Sequence, residues 1–361
     1  MKVKLSEVSS GFTKNIAQKD LDNNNGCYPI YGASGYIKNI NFYISDKPYI
    51  GIVKDGSGVG RVNIYPAYSS LLGTMQYVVP NDNMDIAYLM YALRYMKLGS
   101  LYSGAAIPHI YYKNYQRNEL NYREKNEQKS ISTQLTQIEN AIFVCNAKII
   151  ALDELVKSRF IEMFVEKGFK EITFSDYAEI IDGDRGKNYP KAEEFSDEGY
   201  CLFLSAKNVT KDGFLFEQMQ FISEEKDNLL RKGKLCRGDI VITTRGTIGN
   251  IAFYDDDIPY DNVRINSGMV IIRQKEVSFN QIFFLNAFKN KIDEIKETNV
   301  TGATQPQLPI HIMSKIKLLN PPIELQNEFA DFVKLIDKSK FVGYFTLNIF
   351  YVKSSHFHHP P

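Results

Sequence analysis

The sequence of 361 residues has no tryptophan, only four cysteines and five histidines, and a net charge of just +1. Cys27, Cys145, Cys201 and Cys236 form no C-x-x-C pair and no spacing that suits zinc. The first residues lack the apolar core of a signal peptide, and no run of about 20 apolar residues offers a membrane span. These absences favour a reducing, cytoplasmic location and predict neither a metal site nor a membrane partner.

Chemical motifs are also scarce. The glycines of G56-S-G-V-G60 precede an alternating strand pattern, which favours a turn over a phosphate-binding loop. N320-P-P-I323 lacks the aromatic residue of the adenine-methyltransferase motif, and D182-G-D-R-G-K187 places the residue types of a nuclease in a glycine-rich loop. The H356-F-H-H359 cluster lies in an irregular tail. The sequence therefore predicts no catalytic residue in this chain.

Charge is distributed unevenly along the chain. Residues 1–122 carry 12 basic and 8 acidic side chains, whereas residues 168–322 carry 20 basic and 23 acidic ones. A protein that binds nucleic acid by charge alone is far more basic. DNA binding would therefore depend on local basic patches.

One six-residue phrase occurs twice, as S103-G-A-A-I-P108 and T301-G-A-T-Q-P306. The same offset of 198 pairs Gln128 with Gln326, Ile131 with Phe329, Leu135 with Val333, Ile138 with Ile336 and Phe143 with Phe341. Earlier, K54-D-G-S-G-V-G-R61 resembles T243-T-R-G-T-I-G-N250, and each follows an apolar β-branched run. The repeat predicts two copies of one mixed α/β plan.

A long helix is predicted at about 124–166, because apolar residues recur there at alternating spacings of three and four. A second helix follows Pro321 and Pro322. We expect the two helices to pair through Ile131, Leu135, Ile138, Ile142, Ile149, Leu152, Val156, Phe329, Val333 and Ile336. The alternative is that each helix packs on its own domain.

The second helix is predicted to end near residue 341. Gly343, the β-branched and aromatic residues of 344–352 and the final prolines all oppose helix. A shortened helix would leave Ile149, Leu152 and Val156 of the first helix exposed, which would weaken partner docking or promote self-association.

Three segments supply candidate DNA contacts, because basic and hydroxyl side chains there lie in or beside glycine-rich loops. They are Lys54, Ser57 and Arg61 in the first copy, and Arg185, Lys187, Thr244, Arg245 and Thr247 in the second. The alternative is that these are solvated turn residues.

The order domain, long helix, domain, helix resembles the specificity subunit of type I restriction–modification systems. Y28-P-I-Y-G-A-S-G35, the paired six-residue phrases, N126-E-Q-K-S-I-S-T-Q-L-T-Q-I-E139 and I323-E-L-Q-N-E-F329 carry the resemblance. It implies an α+β fold with two homologous target-recognition domains joined by long helices that pair as an antiparallel coiled coil. The corresponding ranges are 1–122 and 168–322 for the domains, 123–167 for the central helix and 323–361 for the second helix and its tail.

The resemblance also implies a function. Each domain would read one half of a bipartite double-stranded DNA target, and the helices would set the spacer and bind two modification subunits. S-adenosylmethionine, ATP and Mg²⁺ would be bound by modification and restriction subunits, and this chain would hold no cofactor. The alternatives are a truncated allele that stores recognition sequence, a free-standing DNA methyltransferase or nuclease, and a tyrosine-rich carbohydrate-binding module.

Overall fold

The computed structural model describes residues 1–104, 108–275, 279–299 and 308–356, with the side chains of 297–299 and 344–356 left out of the description. The chain divides into two compact units, Met1–Val144 and Cys145–Pro361. Helix α4 passes from the first unit into the second.

The first unit is a mixed α/β domain followed by the first part of α4. Its strands are β1 (Lys2–Lys4), β2 (Ser9–Phe12), β3 (Tyr28–Gly32), β4 (Gly35–Ile40), β5 (Tyr49–Val53), β6 (Val62–Tyr65), β7 (Ser70–Leu71), β8 (Met75–Pro80) and β9 (Glu119–Asn121). Its helices are α1 (Leu5–Val8), α2 (Ile86–Tyr95), α3 (Tyr112–Tyr115) and α4 (Lys125–Phe160), which continues as a π-helical turn over Ile161–Val165.

The second unit repeats this organisation. Its strands are β10 (Glu171–Thr173), β11 (Ala178–Asp182), β12 (Cys201–Leu204), β13 (Val209–Thr210), β14 (Gly213–Phe214), β15 (Phe221–Ile222), β16 (Asp239–Thr243), β17 (Ile251–Tyr254), β18 (Val263–Ile265), β19 (Met269–Gln274) and β20 (Lys317–Leu319). Its helices are α5 (Phe174–Tyr177), α6 (Glu224–Leu229), α7 (Gln281–Asn299), α8 (Ile310–Met313) and α9 (Ile323–His356).

The sheets show the internal repeat most directly. An antiparallel four-stranded sheet has the order β2-β8-β5-β6 in the first unit and β11-β19-β16-β17 in the second. A three-stranded sheet with one parallel pair accompanies each, as β4-β3-β7 and β15-β12-β18. The central strands β5 and β16 are buried throughout, and their alternate residues enter different cores. The mixed, duplicated fold expected from the sequence is confirmed.

A buried glutamine at the start of each long helix also follows the repeat. Gln128 accepts a hydrogen bond from the Asp85 backbone N–H at 2.7 Å, and Gln326 accepts one from the Asn280 backbone N–H at 2.9 Å. The amide of Gln128 donates to the Arg123 carbonyl, and that of Gln326 donates to the Pro321 carbonyl. Each glutamine therefore ties its long helix to the residue that immediately precedes an earlier helix, α2 or α7.

Within the second unit, α4 and α9 pack in opposite directions. Arg159 contacts Glu328 at 3.3 Å, and Lys340 contacts Asp153 at 2.6 Å. Because contacts move toward the start of α4 as they move along α9, the pairing is antiparallel. Ile149 and Val156 are buried, and Leu152 packs on the same core as Phe329, Val333 and Ile336. In the first unit, Ile131, Leu135, Ile138 and Ile142 are half-buried.

Two expectations about α9 are wrong. The helix does not end near 341 but continues to His356, and Ile149 and Val156 are buried while Leu152 is half-buried. Antiparallel pairing places the first half and the middle of α9, as far as Gly343, on these residues. Aromatic and β-branched residues lower helix propensity by only a few tenths of a kcal/mol each, and packing against another helix readily offsets this cost. No proline interrupts 323–359.

The Gly343→Ala variant tests this pairing. The added Cβ would lie 3.4 Å from the Ile149 side chain, an ordinary van der Waals distance. Because alanine is favoured over glycine inside a helix, we expect the free energy of unfolding to rise by about 0.5–1 kcal/mol in urea denaturation. The control, Gly168→Ala, should destabilise the chain because Gly168 has φ +65°. No gain at Gly343 would contradict a continuous, packed α9.

The expectation that no segment is apolar enough to span a membrane has one exception. The helical segment Lys125–Val165 contains a window that is long and apolar enough by length and composition alone. Its hydropathy comes partly from the pairing residues and partly from exposed apolar side chains, including Phe143, Val144 and Ile150.

Candidate nucleic-acid interface

The glycine-rich turn of the first unit connects β5 to β6. Ser57 and Arg61 are exposed, and the Arg61 guanidinium donates to the Ala33 carbonyl at 3.0 Å. Lys54 lies deeper: its side chain is 11% exposed and forms an ion pair with Asp55. Ser57 and Arg61 are therefore available at the surface, whereas Lys54 is largely committed within the unit.

This turn packs closely on the segment after α2. Gly60 has φ +82°, and a Cβ at this position would lie 2.1 Å from the Gly99 backbone nitrogen. Only glycine fits such a contact. The turn and residues 97–100 line an open depression of about 430 Å³ that includes the exposed Lys97. Lys97, which is not among the predicted DNA contacts, thus joins Arg61 as a second cation at this site.

The corresponding turn of the second unit connects β16 to β17. Arg245 and Thr247 are exposed. Thr244 is buried, and its hydroxyl donates to the Gly268 carbonyl at 3.0 Å, so this side chain supports the turn and does not reach the surface. The turn has its own close glycine contact, because a Cβ on Gly249 would lie 2.1 Å from Lys296 Cε.

The loop after β11 carries the other two candidates. Lys187 is exposed, whereas the Arg185 guanidinium donates to Asp182 at 3.1 Å and to the Ser267 carbonyl at 3.2 Å. Asp184 is buried, and burial opposes its ionisation. Backbone N–H groups of Gly186, Arg231 and Lys232 outweigh that effect and lower the pKa of the carboxyl. Asp184 therefore anchors loops and is not placed for nuclease chemistry.

Three loops of the second unit meet around residues 266–268. A Cβ on Gly183 would lie 2.2 Å from the Asn266 carbonyl oxygen, and Thr244 bonds Gly268. The Arg231 backbone N–H donates to Asp184 at 2.8 Å, which brings the 231–233 loop to the same place. Arg231 and Lys232 are exposed. These two residues are not among the predicted DNA contacts, although the basic run R231-K-G-K-L-C-R237 marks them in the sequence.

We name Lys187, Arg231, Lys232 and Arg245 the basic loop surface. Within the part of the second unit that the structure describes, none of these four side chains enters an ion pair or a hydrogen bond. Four unpaired cations on adjoining loops suit an anionic backbone such as that of DNA.

A buried ion cluster supports the 231–233 loop from below. Arg264 is ion-paired with Asp227 and donates to the Lys232 carbonyl at 2.7 Å. Lys234 contacts the other oxygen of Asp227 at 2.5 Å. Burial alone would raise the pKa of Asp227, but the hydrogen bonds from Lys234 and Arg264 outweigh it, so the pKa is lowered. The carboxylate therefore stays charged and holds both cations in place.

The repeated six-residue phrases lie partly or wholly outside the described residues, at 105–107 and 301–306. The residues that follow them are described. Ile110 N–H donates to the Lys54 carbonyl at 2.9 Å, and Leu308 N–H donates to the Thr244 carbonyl at 3.2 Å. In each unit the chain after the phrase is thus tied to the first residue of the glycine-rich turn.

No group of three or more metal-ligating side chains occurs among the described residues. Of the H356-F-H-H359 cluster, 357–359 fall outside the description. Pro321 and Pro322 lead into α9, and the Pro321 carbonyl accepts from Gln326 at 2.9 Å. The N320-P-P-I323 segment therefore begins a helix.

Known proteins share this plan. The Type I restriction enzyme MjaVIII specificity subunit of Methanocaldococcus jannaschii is 26% identical over 336 residues, which cover 84% of this chain and 76% of that protein. The putative type I restriction enzyme MjaX specificity subunit of the same organism is 23% identical over 303 residues, covering 77% and 68%.

Solved structures agree on the fold. The S subunit of a type I restriction–modification system from M. genitalium gives a TM-score of 0.61 at 18% identity, covering 99% of this chain and 94% of that one. A structure described as showing complex assembly and conformational transition of the type I R-M system gives a TM-score of 0.53 at 13% identity, covering 97% of this chain and 94% of that one.

The family model described as the type I restriction modification DNA specificity domain matches residues 1–153 and 166–341. The two segments matched by this family model cover most of the chain. The chain therefore belongs to the type I restriction–modification DNA specificity family.

Proposed function

We propose that the chain reads a bipartite DNA sequence, one half-site for each unit, and that α4 and α9 set the spacer between the half-sites. The observation that carries this proposal is the duplicated fold with unlike surface side chains. The same turn presents Ser57 and Arg61 in the first unit but Arg245 and Thr247 in the second. The two identical subunits of a dimer suit the two identical halves of a palindromic site. In the same way, two equivalent surfaces with different side chains suit two different half-sites.

The experiment is a methylome. The chain would be co-expressed with the modification subunit of its own locus in a host that lacks adenine methylation, and long-read sequencing would map N6-methyladenine. We expect a split motif of two short half-sites with a fixed spacer. A continuous motif, or no methylation while both proteins are soluble and associated, would contradict the proposal.

Each long helix also presents an exposed apolar pair at the same repeat position. Phe143 is 73% exposed and Val144 61%, and Phe341 is 70% exposed and Val342 64%. Large exposed apolar side chains mark interaction sites when they are grouped. Since the pair recurs at an offset of 198, it would bind the same partner twice. We infer that Phe143–Val144 and Phe341–Val342 each dock one modification subunit.

Native mass spectrometry of the co-purified complex tests this docking. We expect two modification subunits on the unmodified chain, one on Phe143→Ser or Phe341→Ser, and none on the double variant. Loss of a central aromatic anchor costs about 2 kcal/mol or more, which is roughly a 30-fold loss of affinity.

The matched control is Leu335→Ser. Leu335 is 62% exposed on the same helix α9, but its repeat counterpart is Gln137, so the apolar side chain is not duplicated. This variant should keep both partners. Equal loss from Leu335→Ser and Phe341→Ser would show that any apolar change on α9 disturbs assembly, and it would refute a specific dock.

The chain itself is proposed to be non-catalytic and to act in the cytoplasm. S-adenosylmethionine would be bound by the modification subunits, and ATP and Mg²⁺ by restriction subunits of the same complex. A purified chain that methylates or cleaves DNA alone would instead support the free-standing enzyme. The continuation of α9 to His356 and the burial of Ile149 and Val156 favour an assembling subunit over the truncated-allele alternative.

A further inference from the structure

A pocket of about 420 Å³ opens on the first unit between the end of β2 and α3. Two exposed aromatic rings, Phe12 and Tyr111, line it together with Tyr112. The Phe12 ring stacks on Tyr77 with centroids 4.7 Å apart. The Tyr112 hydroxyl donates to the Ser9 carbonyl at 2.8 Å. The Phe12 and Tyr112 rings form two walls of the pocket, and contacts within the first unit hold both rings in place.

Glycine at position 11 brings one wall close to the backbone. A Cβ on Gly11 would lie 2.3 Å from Tyr112 Cγ, so no other residue permits this ring position. Two lysines flank the Tyr111 ring, with Lys54 Nζ at 5.6 Å and Lys113 Nζ at 5.7 Å from its centroid. Because Lys54 is already paired with Asp55, the exposed Lys113 supplies the positive charge beside the flat apolar walls of the pocket.

Gln76 closes the pocket and carries its most unusual feature. The residue is 1% exposed, and neither the oxygen nor the nitrogen of its side-chain amide has a hydrogen-bond partner among the described residues. The Tyr115 hydroxyl lies beside this amide, in an interaction that falls short of good hydrogen-bond geometry. Buried polar groups are nearly always paired, so an amide with only this poorly aligned contact retains hydrogen-bonding capacity on the pocket side.

We propose that this pocket binds a nucleobase, with the base between the aromatic walls and its hydrogen-bonding edge on Gln76. A carboxamide offers a donor and an acceptor side by side, which matches the donor–acceptor edge of adenine. Aromatic side chains stack on any base, and a lysine suits the attached phosphate. The pocket volume lies within the usual range for small-molecule sites, about 300–1,000 Å³. The base comes either from a free nucleotide or from a base unstacked from DNA.

Calorimetric titration of the full chain with the 5′-monophosphates of adenosine, guanosine, cytidine and thymidine tests the proposal. We expect binding of at least one, adenosine monophosphate first, and an affinity about tenfold or more lower in Gln76→Leu. Phe12→Ala should weaken the same ligand, whereas Tyr68→Ala, an exposed tyrosine outside the pocket, should not. No binding of any of the four, or unchanged affinity in Gln76→Leu, would overturn the proposal.

Thermal unfolding of Gln76→Leu shows whether a loss of nucleotide binding is caused by a loss of stability. Removing a buried amide that makes no well-aligned hydrogen bond should leave or raise the melting temperature while binding is lost. A marked fall in the melting temperature would mean that the amide supports the fold, either through protein contacts or through a buried water molecule. That result would also overturn the proposal.

The source of the base is decided by competition. If the base comes from DNA, adenosine monophosphate and Gln76→Leu should both weaken binding of the duplex that carries the methylated motif. If it is a free nucleotide, binding of that duplex should be unchanged. This last comparison rests on the proposed function, whereas the nucleotide titration does not, so failure of one is distinguishable from failure of the other.

Discussion

Asp227→Asn is expected to lower the free energy of unfolding by about 3–5 kcal/mol in urea denaturation, the range for breaking a buried ion pair. Asp227 is 1% exposed at its side chain and Arg264 is 6% exposed. Without the carboxylate charge, two cations, Arg264 and Lys234, would lack their counter-ion. An uncompensated buried charge is among the largest single destabilising changes a protein meets.

The effect should reach the surface as well. Arg264 donates to the carbonyls of Lys232 and Leu230 and so holds the backbone that presents Arg231 and Lys232. Loss of Asp227 would release this arginine from its fixed position. We therefore expect weaker DNA binding in Asp227→Asn even at temperatures where the chain stays folded.

The matched control is Asp261→Asn. Asp261 also pairs with an arginine, Arg237, at 2.9 Å, but its side chain is 93% exposed. Exposed pairs contribute less than about 1 kcal/mol. If the two variants lose equal stability, burial of the Asp227 cluster is not the cause.

The pH dependence has a definite sign. Because the pKa of Asp227 in the folded chain is below its ordinary value of 3.8, its stabilisation is present above that value and disappears as pH falls through the lowered pKa. The difference between the unmodified chain and Asp227→Asn should therefore be constant from pH 7 to about pH 5 and shrink in more acid solution.

The repeat made much of the fold predictable from the sequence. An offset of 198 matched Gln128 with Gln326 before any contact was known, and both glutamines make equivalent hydrogen bonds. The apolar β-branched runs of Tyr49–Val53 and Asp239–Thr243 indicated strands, and both segments are strands, because such runs are local signals. The local sequence is sufficient wherever the determinant lies within a few residues.

Contacts between segments that lie far apart in the sequence were harder to predict from the sequence. The end of α9 was mispredicted because intrinsic propensity at Gly343 and the aromatic residues after it was weighed without the packing of α4. Thr244 was selected as a DNA contact, yet its hydroxyl bonds a carbonyl 24 residues away. Arg264 and Asp227 are 37 residues apart, so no local pattern marks them as a pair.

A fourfold variant of the basic loop surface, with Lys187, Arg231, Lys232 and Arg245 all changed to alanine, should have the largest effect on DNA binding. A plot of log affinity against log salt concentration has a negative slope, and each lost phosphate contact makes that slope less steep by about 0.9. If all four contact phosphates, the affinity at physiological salt should fall roughly 100- to 1,000-fold. Fluorescence anisotropy over a salt series measures both quantities.

The control removes the same charge elsewhere in the second unit. Lys157, Lys167, Lys170 and Lys334 are exposed on α4, on α9 or between α4 and β10, and none lies on the basic loop surface. Changing these four to alanine lowers the net charge equally, so a general electrostatic effect would weaken DNA binding equally in both variants. A local interface predicts a reduced salt slope only for the loop variant. Because a unit with more acidic than basic residues cannot attract DNA by its total charge, the contrast should be sharp.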